Sequence, residues 1–299
     1  MPSLRQLEYL VALADTRHFG EAAAQVNVTQ PTLSQQLKEL EARLKVALVE
    51  RGRPVRLTPA GREIVRRARR VLAEVREIRK AAERSRTGLA GTISLGVSPT
   101  LGPYLMPSAI VRLHRDHPAL HLYIREGIPD EQLAQLRRGE LDMVLAPLPF
   151  ARTGLEVLPL FTEPLQLIGA PDHPLLASRP QRRADFAGAP VLSLDRRHHF
   201  HRQAEAICAD LEAELLRDYE GTSLDSLRQM AGSGLGLAIL PELYLRSEAG
   251  GEEMVRRFEI AGWKAERRIA AAWREDAAYA DAYRAIAEVV AAEAGEMLA

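Results

Sequence analysis

The stretch LDRRHHFHRQAEAIC, Leu194 to Cys208, sets His198, His199 and His201 within four residues and closes on the only cysteine of the 299-residue chain. Three chemistries use such residues: metal ligation, thiol redox switching and proton exchange near neutral pH. Ligation needs converging imidazoles. Adjacent residues of an extended chain point apart, a helix unites only positions i and i+4, and further ligands would have to come from elsewhere, so no metal site is expected. Redox switching needs a reactive thiolate, and locally only His201 and Arg202 favour one at Cys208. A lone cysteine forms no intramolecular disulfide. If HRQAEAICADLEAELL is a helix, Ile207 and Leu211 mark its buried face and Cys208 adjoins that stripe. A buried, unreactive thiol is then the expectation, and a sensor thiol the alternative. The histidines are expected to be solvated or at a pocket edge, where a titrating imidazole adds pH dependence.

No other constellation points to catalysis. The chain has no GxSxG elbow, P-loop, HExxH, or GxGxxG after a first strand. GSGLGLAILP is glycine-rich, but it follows a helical stretch and enters an extended one, the reverse of a phosphate cradle. Neither an enzyme nor a bound cofactor is expected. Hydroxyls and free backbone N–H groups at the ends of extended runs remain: Ser98-Pro99-Thr100, Ala146-Pro147 and Thr222-Ser223. Ligands gather at such places in open α/β sheets, so a small polar or anionic effector is one reading and ordinary helix caps are the other.

These positions require a sheet. TISLGVSPT, LHLYIRE, LDMVLAPL, PLQLIGAP, PVLSL, LGLAILP and RRIAAAW read as strands, with DEQLAQLRRG and LDSLRQMAGSG helical between them. From Gly91 onward the pattern implies α/β architecture with mainly parallel strands.

The first 90 residues read differently. Ser3 with Gln6 forms a capping-box pattern before Leu7, Leu10, Val11 and Ala14 at helical spacing. After a break at Arg17 and His18, FGEAAAQVN is a short helix that buries Phe19, Ala22, Ala23 and Val26. A third helix starts from the N-cap Thr29, tolerates Pro31 in its first turn, and buries Leu33, Leu37, Leu40 and Leu44. With about 100° per residue, Pro31, Ser34, Gln35, Lys38 and Ala42 face outward, with Thr32 at the flank and Gln30 at the entry. Short hydroxyls, an amide and a lysine suit a DNA major groove, and a solvated face is the plainer alternative. VALVERGRPVRLTPAG then reads as a hairpin whose Arg51, Arg53 and Arg56 would hold phosphates or enter a minor groove. From Thr58-Pro59 to about Gly88 a long helix carries Ile64, Ala68, Val71, Val75, Ile78 and Ala82 at heptad spacing. Such a seam suits the pairing of two copies of the helix, with packing on its own domain as the alternative.

Length fits about two domains, and neither a leader nor a membrane-spanning run is evident, so a cytoplasmic protein is expected. The net charge of zero hides a split: residues 1–90 hold 18 Lys and Arg against 10 Asp and Glu, the remainder 22 against 30. The front is basic, as a segment facing a polyanion would be.

On LEYLVALADTRHFGEAAAQVNVTQPTLSQQLKELEARLKVALVER the chain resembles the LysR-type transcriptional regulators. The resemblance implies a winged helix-turn-helix over 1–58, a linker and dimerisation helix over 59–89, and an effector-sensing α/β domain of periplasmic-binding-protein type over 90–299. That domain would have two subdomains, 90–162 with 267–299, and 163–266. Implied partners are double-stranded DNA, other copies of the chain up to a homotetramer, a small-molecule effector or peroxide, and RNA polymerase, with no membrane. GVSPTLGPYLMP, TSLDSLRQMAGSGLGLAILP and the region of Cys208 further resemble the peroxide-sensing subgroup. In that register, kept by Gln203-Ala204, Cys208 matches the subgroup's second cysteine and its reactive cysteine falls on His199. The departure removes the disulfide switch, and His199, Phe200, His201, Arg202 and Asp130 join Ser98, Pro99, Thr100, Ala146, Pro147, Thr222 and Ser223 as the expected effector-binding set. The function implied is DNA binding whose oligomer geometry and DNA bend respond to an effector, with a one-cysteine peroxide response through Cys208 as the alternative.

Overall fold

Ser3 and Gln6 exchange both hydrogen bonds of a capping box and start α1 (Leu4–Thr16). The computed structural model describes residues 2–50, 52, 55–84, 91–177, 180–248 and 254–299. Arg17, left-handed at φ 54°, stops α1, and the Nδ1 of His18 caps α2 (Phe19–Gln25) by accepting from the Glu21 N–H at 3.3 Å. Thr29 caps α3 (Gln30–Leu44). Leu10, Leu13, Ala22, Ala23, Leu33, Leu37 and Leu40 fill the space between the three helices, whereas Phe19, Val26 and Leu44, expected inside, are only half-buried at the margin.

The expected hairpin forms from β1 (Val49–Glu50) and β2 (Arg56–Leu57), paired antiparallel. Glu41 of α3 anchors its base by accepting from the N–H groups of Leu48 at 2.7 Å and Val49 at 3.1 Å. Thr58 then caps α4 (Pro59–Arg84), accepting from the Gly61 N–H at 2.9 Å. Gly61 permits close approach: a Cβ there would overlap the Leu48 carbonyl oxygen. Of the stripe read along α4, Ala68 is buried, Ile64 and Val75 are half-buried, and Val71 is 42% and Ile78 66% exposed; Val65 and Leu72, outside that reading, are buried with Ala68, so the apolar residues of α4 divide in two. The side chain of Ala82 and residues 85–90 lie outside the described residues.

The chain forms two compact units, the first running to residue 86 and the second holding 87–137 and 141–299. In the second, one sheet has the order β4-β3-β5-β11-β6-β9-β7-β8. The strands are β3 (Gly91–Val97), β4 (Leu120–Glu126), β5 (Met143–Pro147), β6 (Leu155–Gly169), β7 (Pro190–Leu194), β8 (Glu214–Gly221), β9 (Leu237–Pro241), β10 (Arg256–Arg257, beside β6) and β11 (Ala265–Arg274). β3, β4 and β5 are parallel, as are β7, β8 and β9. The long strands β6 and β11 run antiparallel to each other and join the two sets. This is the two-subdomain α/β fold expected.

α5 (Gly102–Asp116), α6 (Pro129–Arg137) and α10 (Ala280–Leu298) serve the β3–β5 half, with Leu95, Leu105, Met143, Trp273, Tyr283 and Ile286 in its main core. α7 (His199–Leu211), α8 (Leu224–Gly232) and α9 (Glu242–Ser247) serve the other, around Leu167, Phe186, Phe200, Ile207, Leu227 and Ile239. α7 ends earlier than HRQAEAICADLEAELL implied. Glu212 turns left-handed at φ 53°, and Glu214 onward joins β8. Pairing with β7 overrides the helix propensity of that run.

Candidate functional site

On α3 the buried leucines fix which side faces out. Gln30, Pro31, Thr32, Gln35 and Lys38 are exposed and Ser34 is half-buried, so the residues read as a base-contacting face lie together. Glu39, missed in the sequence reading, organises the face: it accepts from Gln35 Nε2 at 3.2 Å and from Gln36 Nε2 at 3.2 Å. Gln36 accepts in turn from the buried Gln6 at 3.2 Å. Gln35 therefore presents a carbonyl oxygen on an amide already oriented by a neighbour. On the hairpin, Arg56 is exposed opposite Glu50, and Arg17 and Arg62 line the same hollow of about 620 Å³. Arg51 and Arg53 lie outside the described residues.

In the second unit a cavity of about 430 Å³ gathers Pro99 and Thr100 from one half of the sheet with Thr222 and Ser223 from the other. Tyr104, Glu126, Asp225 and Glu248 complete much of its wall and had no sequence signal of their own. Burial, then the carboxylates led by Asp225, push the Tyr104 phenol well above its ordinary range. The hydroxyls are not equally free. Ser223 accepts from the Ser226 N–H at 3.2 Å and caps α8, the plainer of its two readings. Ser98 and Thr100 are buried, 3.1 Å apart, and Thr100 is claimed by Arg267. Ala146 and Pro147 are buried within β5, paired with Ala270 and Ile269 of β11, and contribute to the sheet rather than to a cavity wall.

Arg267 is the residue that sequence reasoning missed most completely. It donates to the Thr100 hydroxyl at 2.7 Å, the Thr100 carbonyl at 2.9 Å and the Glu163 carboxylate at 2.7 Å. Glu163 also accepts from the Leu243 N–H at 2.7 Å, and both charged side chains are fully buried. The pair sits on the two joining strands, β11 and β6, and ties them to the starts of α5 and α9.

The three histidines take separate partners. His198 occupies the N-cap position of α7 without a side-chain capping hydrogen bond. His199, expected at a solvated or pocket-edge position, is only 4% exposed; its Nε2 lies 3.1 Å from the Pro149 carbonyl and burial lowers its pKa. His201 Nδ1 lies 2.9 Å from the Leu194 carbonyl and 3.1 Å from the Ser193 hydroxyl. The expectation failed for His199 because the stretch is the first turn of a helix, not a loop, and a helix turns some residues inward; His201 and Arg202 line a cavity beside β8, as expected of a pocket edge. Phe200, like His199, is buried in the core, under the Arg267 guanidinium at 5.8 Å from its ring. Arg202 pairs with Asp130 of α6 at 3.1 Å, so two members of the expected set meet each other across the halves. Cys208 is buried among Ile207, Leu211 and Ala204, and desolvation, with Glu205 adding, pushes its thiol up to about 11.

Residues 4–62 match the family described as bacterial regulatory helix-turn-helix protein, lysR family, and residues 86–295 match the LysR substrate binding domain. The hydrogen peroxide-inducible genes activator of Pectobacterium carotovorum subsp. carotovorum is 40% identical over 82% of this chain and 82% of its own. The DNA-binding transcriptional dual regulator OxyR of Escherichia coli K12 is 40% identical over 82% of this chain and 81% of its own. The structure of a full-length OxyR variant from Pseudomonas aeruginosa superposes with a TM-score of 0.74 at 33% identity, covering 97% of this chain and 98% of that one.

Proposed function

The chain belongs to the LysR family of bacterial helix-turn-helix regulators, and on that premise we propose how its DNA reader and its sensor work together. It is a DNA-binding transcription regulator with an effector-binding domain of periplasmic-binding-protein type. The family is one of regulators, not enzymes. In our reading Gln30 to Lys38 of α3 enter the major groove, with Gln35 pairing a base edge and Arg51, Arg53 and Arg56 on phosphates. The long helix over 59–89 pairs two copies, and pairs of dimers form a tetramer on a roughly palindromic site. The domain over 90–299 closes on a small molecule and so changes the spacing of the readers and the bend of the DNA.

One observation carries the sensor half: Pro99 and Thr100 meet Thr222 and Ser223 across a cavity of about 430 Å³, within the usual range for small-molecule sites. A ligand there touches both halves of the sheet and therefore binds one relative arrangement better than another, which is what shifts an equilibrium.

A second reading, a peroxide response, is favoured by the relatives' description as hydrogen peroxide-inducible genes activators. Its chemistry would be attack of the Cys208 thiolate on the peroxide O–O bond, giving a sulfenic acid and a hydroxide that takes a proton from solvent to become water. The raised pKa and burial of Cys208 oppose it by keeping the thiolate scarce. Footprints of the full chain on the DNA upstream of its own gene, reduced and peroxide-treated, with Cys208→Ser alongside, separate the readings. The cavity reading expects identical footprints in all conditions. A peroxide-dependent shift lost in the mutant would replace it with the thiol mechanism.

A further inference from the structure

Glu39 ends a chain of side-chain contacts that starts at the N-cap of α1. The Ser3 N–H donates to Gln6 Oε1 at 3.2 Å, Gln6 Nε2 to Gln36 Oε1 at 3.2 Å, and Gln36 Nε2 to Glu39 Oε2 at 3.2 Å. The other carboxylate oxygen, Oε1, accepts from Gln35 Nε2 at 3.2 Å. The oxygen and nitrogen of an amide are nearly alike in shape, so shape alone would let each glutamine stand either way round. Both ends of the chain forbid the reversal. A backbone N–H only donates, which fixes Gln6; a carboxylate only accepts, which fixes Gln36 and Gln35. The chain runs from a buried side chain, Gln6, through the half-buried Gln36 and Glu39 to the exposed Gln35.

The consequence lies in what Gln35 has left to offer. A side-chain amide carries two hydrogens, and Glu39 holds one of them, leaving one donor beside Oε1. In the major groove a donor and an acceptor side by side match adenine, which presents N7 as acceptor and its N6 amine as donor. Guanine presents two acceptors, N7 and O6, and calls for both amide hydrogens at once. To supply them Gln35 must break from Glu39, which leaves the carboxylate facing two more acceptors. Cytosine presents an amine without a neighbouring acceptor and thymine an oxygen without a donor, so each satisfies half of the pair.

We propose that Glu39 is a specificity-determining positioning residue: by holding one hydrogen of the Gln35 amide, it makes that side chain read adenine and reject guanine. This rests on the reading that α3 lies in the major groove with Gln35 on a base edge, and adds to it the base and a residue that acts without touching DNA. The donation from Gln36 also sets what a neutral replacement does. In Glu39→Gln the new side-chain oxygen is claimed by Gln36, so the new amide nitrogen turns toward Gln35. Gln35 then gives its oxygen to that nitrogen and presents both hydrogens to the groove, the pattern that guanine accepts.

The test uses the full chain with Gln35→Ala and Glu39→Gln, each selecting duplexes from a random-sequence pool. The base pair at which Gln35→Ala loses its preference is the one that Gln35 reads. Affinities are then compared for duplexes carrying adenine, guanine or unsubstituted purine there, the last lacking the N6 amine. The expected result for the parent is adenine over both by roughly five- to hundredfold, and for Glu39→Gln a preference over guanine that is lost or reversed. Removing a carboxylate strengthens binding to every duplex alike, so the ratio is the readout, and a change in helix stability does not move it. An adenine-to-guanine ratio in Glu39→Gln within about twofold of the parent, while Gln35→Ala abolishes it, overturns the role of Glu39 and leaves the major-groove reading standing. A parent preference for any base other than adenine at that pair overturns it as well. Preferences in Gln35→Ala identical to the parent at every pair overturn both.

Discussion

Arg267 and Glu163 are both out of water, so neither is tolerable without the other. Arg267→Met should lower stability by about 3–5 kcal/mol, read as a drop in the urea midpoint, because it strands a buried carboxylate. Adding Glu163→Leu should restore much of the loss. A single mutant within about 1 kcal/mol of the parent would show that water reaches the pair. Nothing in the sequence joins these residues, which stand far apart in a run of ordinary charges. Thr100 was legible as a place but not as a role: the strand end announced a hydroxyl at the cavity, and only the fold shows its oxygen already serving Arg267. His199 and Phe200 were misplaced for a related reason. Whether a polar stretch between strand and helix faces solvent depends on which turn of the helix it becomes.

At the scale of elements, the capping signals read best. Ser3, Thr29 and Thr58 each start the helix assigned to them, because a cap is a local event in which one side chain satisfies one N–H. β6 read poorly: only its second part, PLQLIGAP, looked extended, since Pro159 and Pro164 argue against an interior strand. The pairing with β11 absorbs the irregularity at a register shift, where Ile269 faces Phe161 and Ala270 faces Pro159, leaving Leu160 unpaired. Gly61 carries a prediction at this scale. Gly61→Ala should destabilise the first unit by about 1–3 kcal/mol, since the Leu48 backbone must move to admit a methyl group. An unchanged melting curve would mean that the hairpin is not fixed against α4.

Across the whole molecule, the divided stripe of α4 sets a further expectation. Val71 and Ile78, seven residues apart and both exposed, remain available to a second copy while Val65, Ala68 and Leu72 serve the chain's own core. Ile78→Lys should therefore lower the sedimenting mass toward that of one chain with helix content unchanged; an unaltered mass would remove α4 from the assembly. The interleaved sheet also orders events during synthesis. β3 to β5 leave the ribosome first, yet their core waits for Trp273 on β11 and for Tyr283 and Ile286 on α10. The half built around β7 to β9 comes from one continuous run and has β6 beside it from the start. A nascent chain thus completes the later-made half before the earlier one, and β3, with its neighbours, stands as an exposed apolar surface for more than a hundred residues of translation, a natural substrate for chaperones.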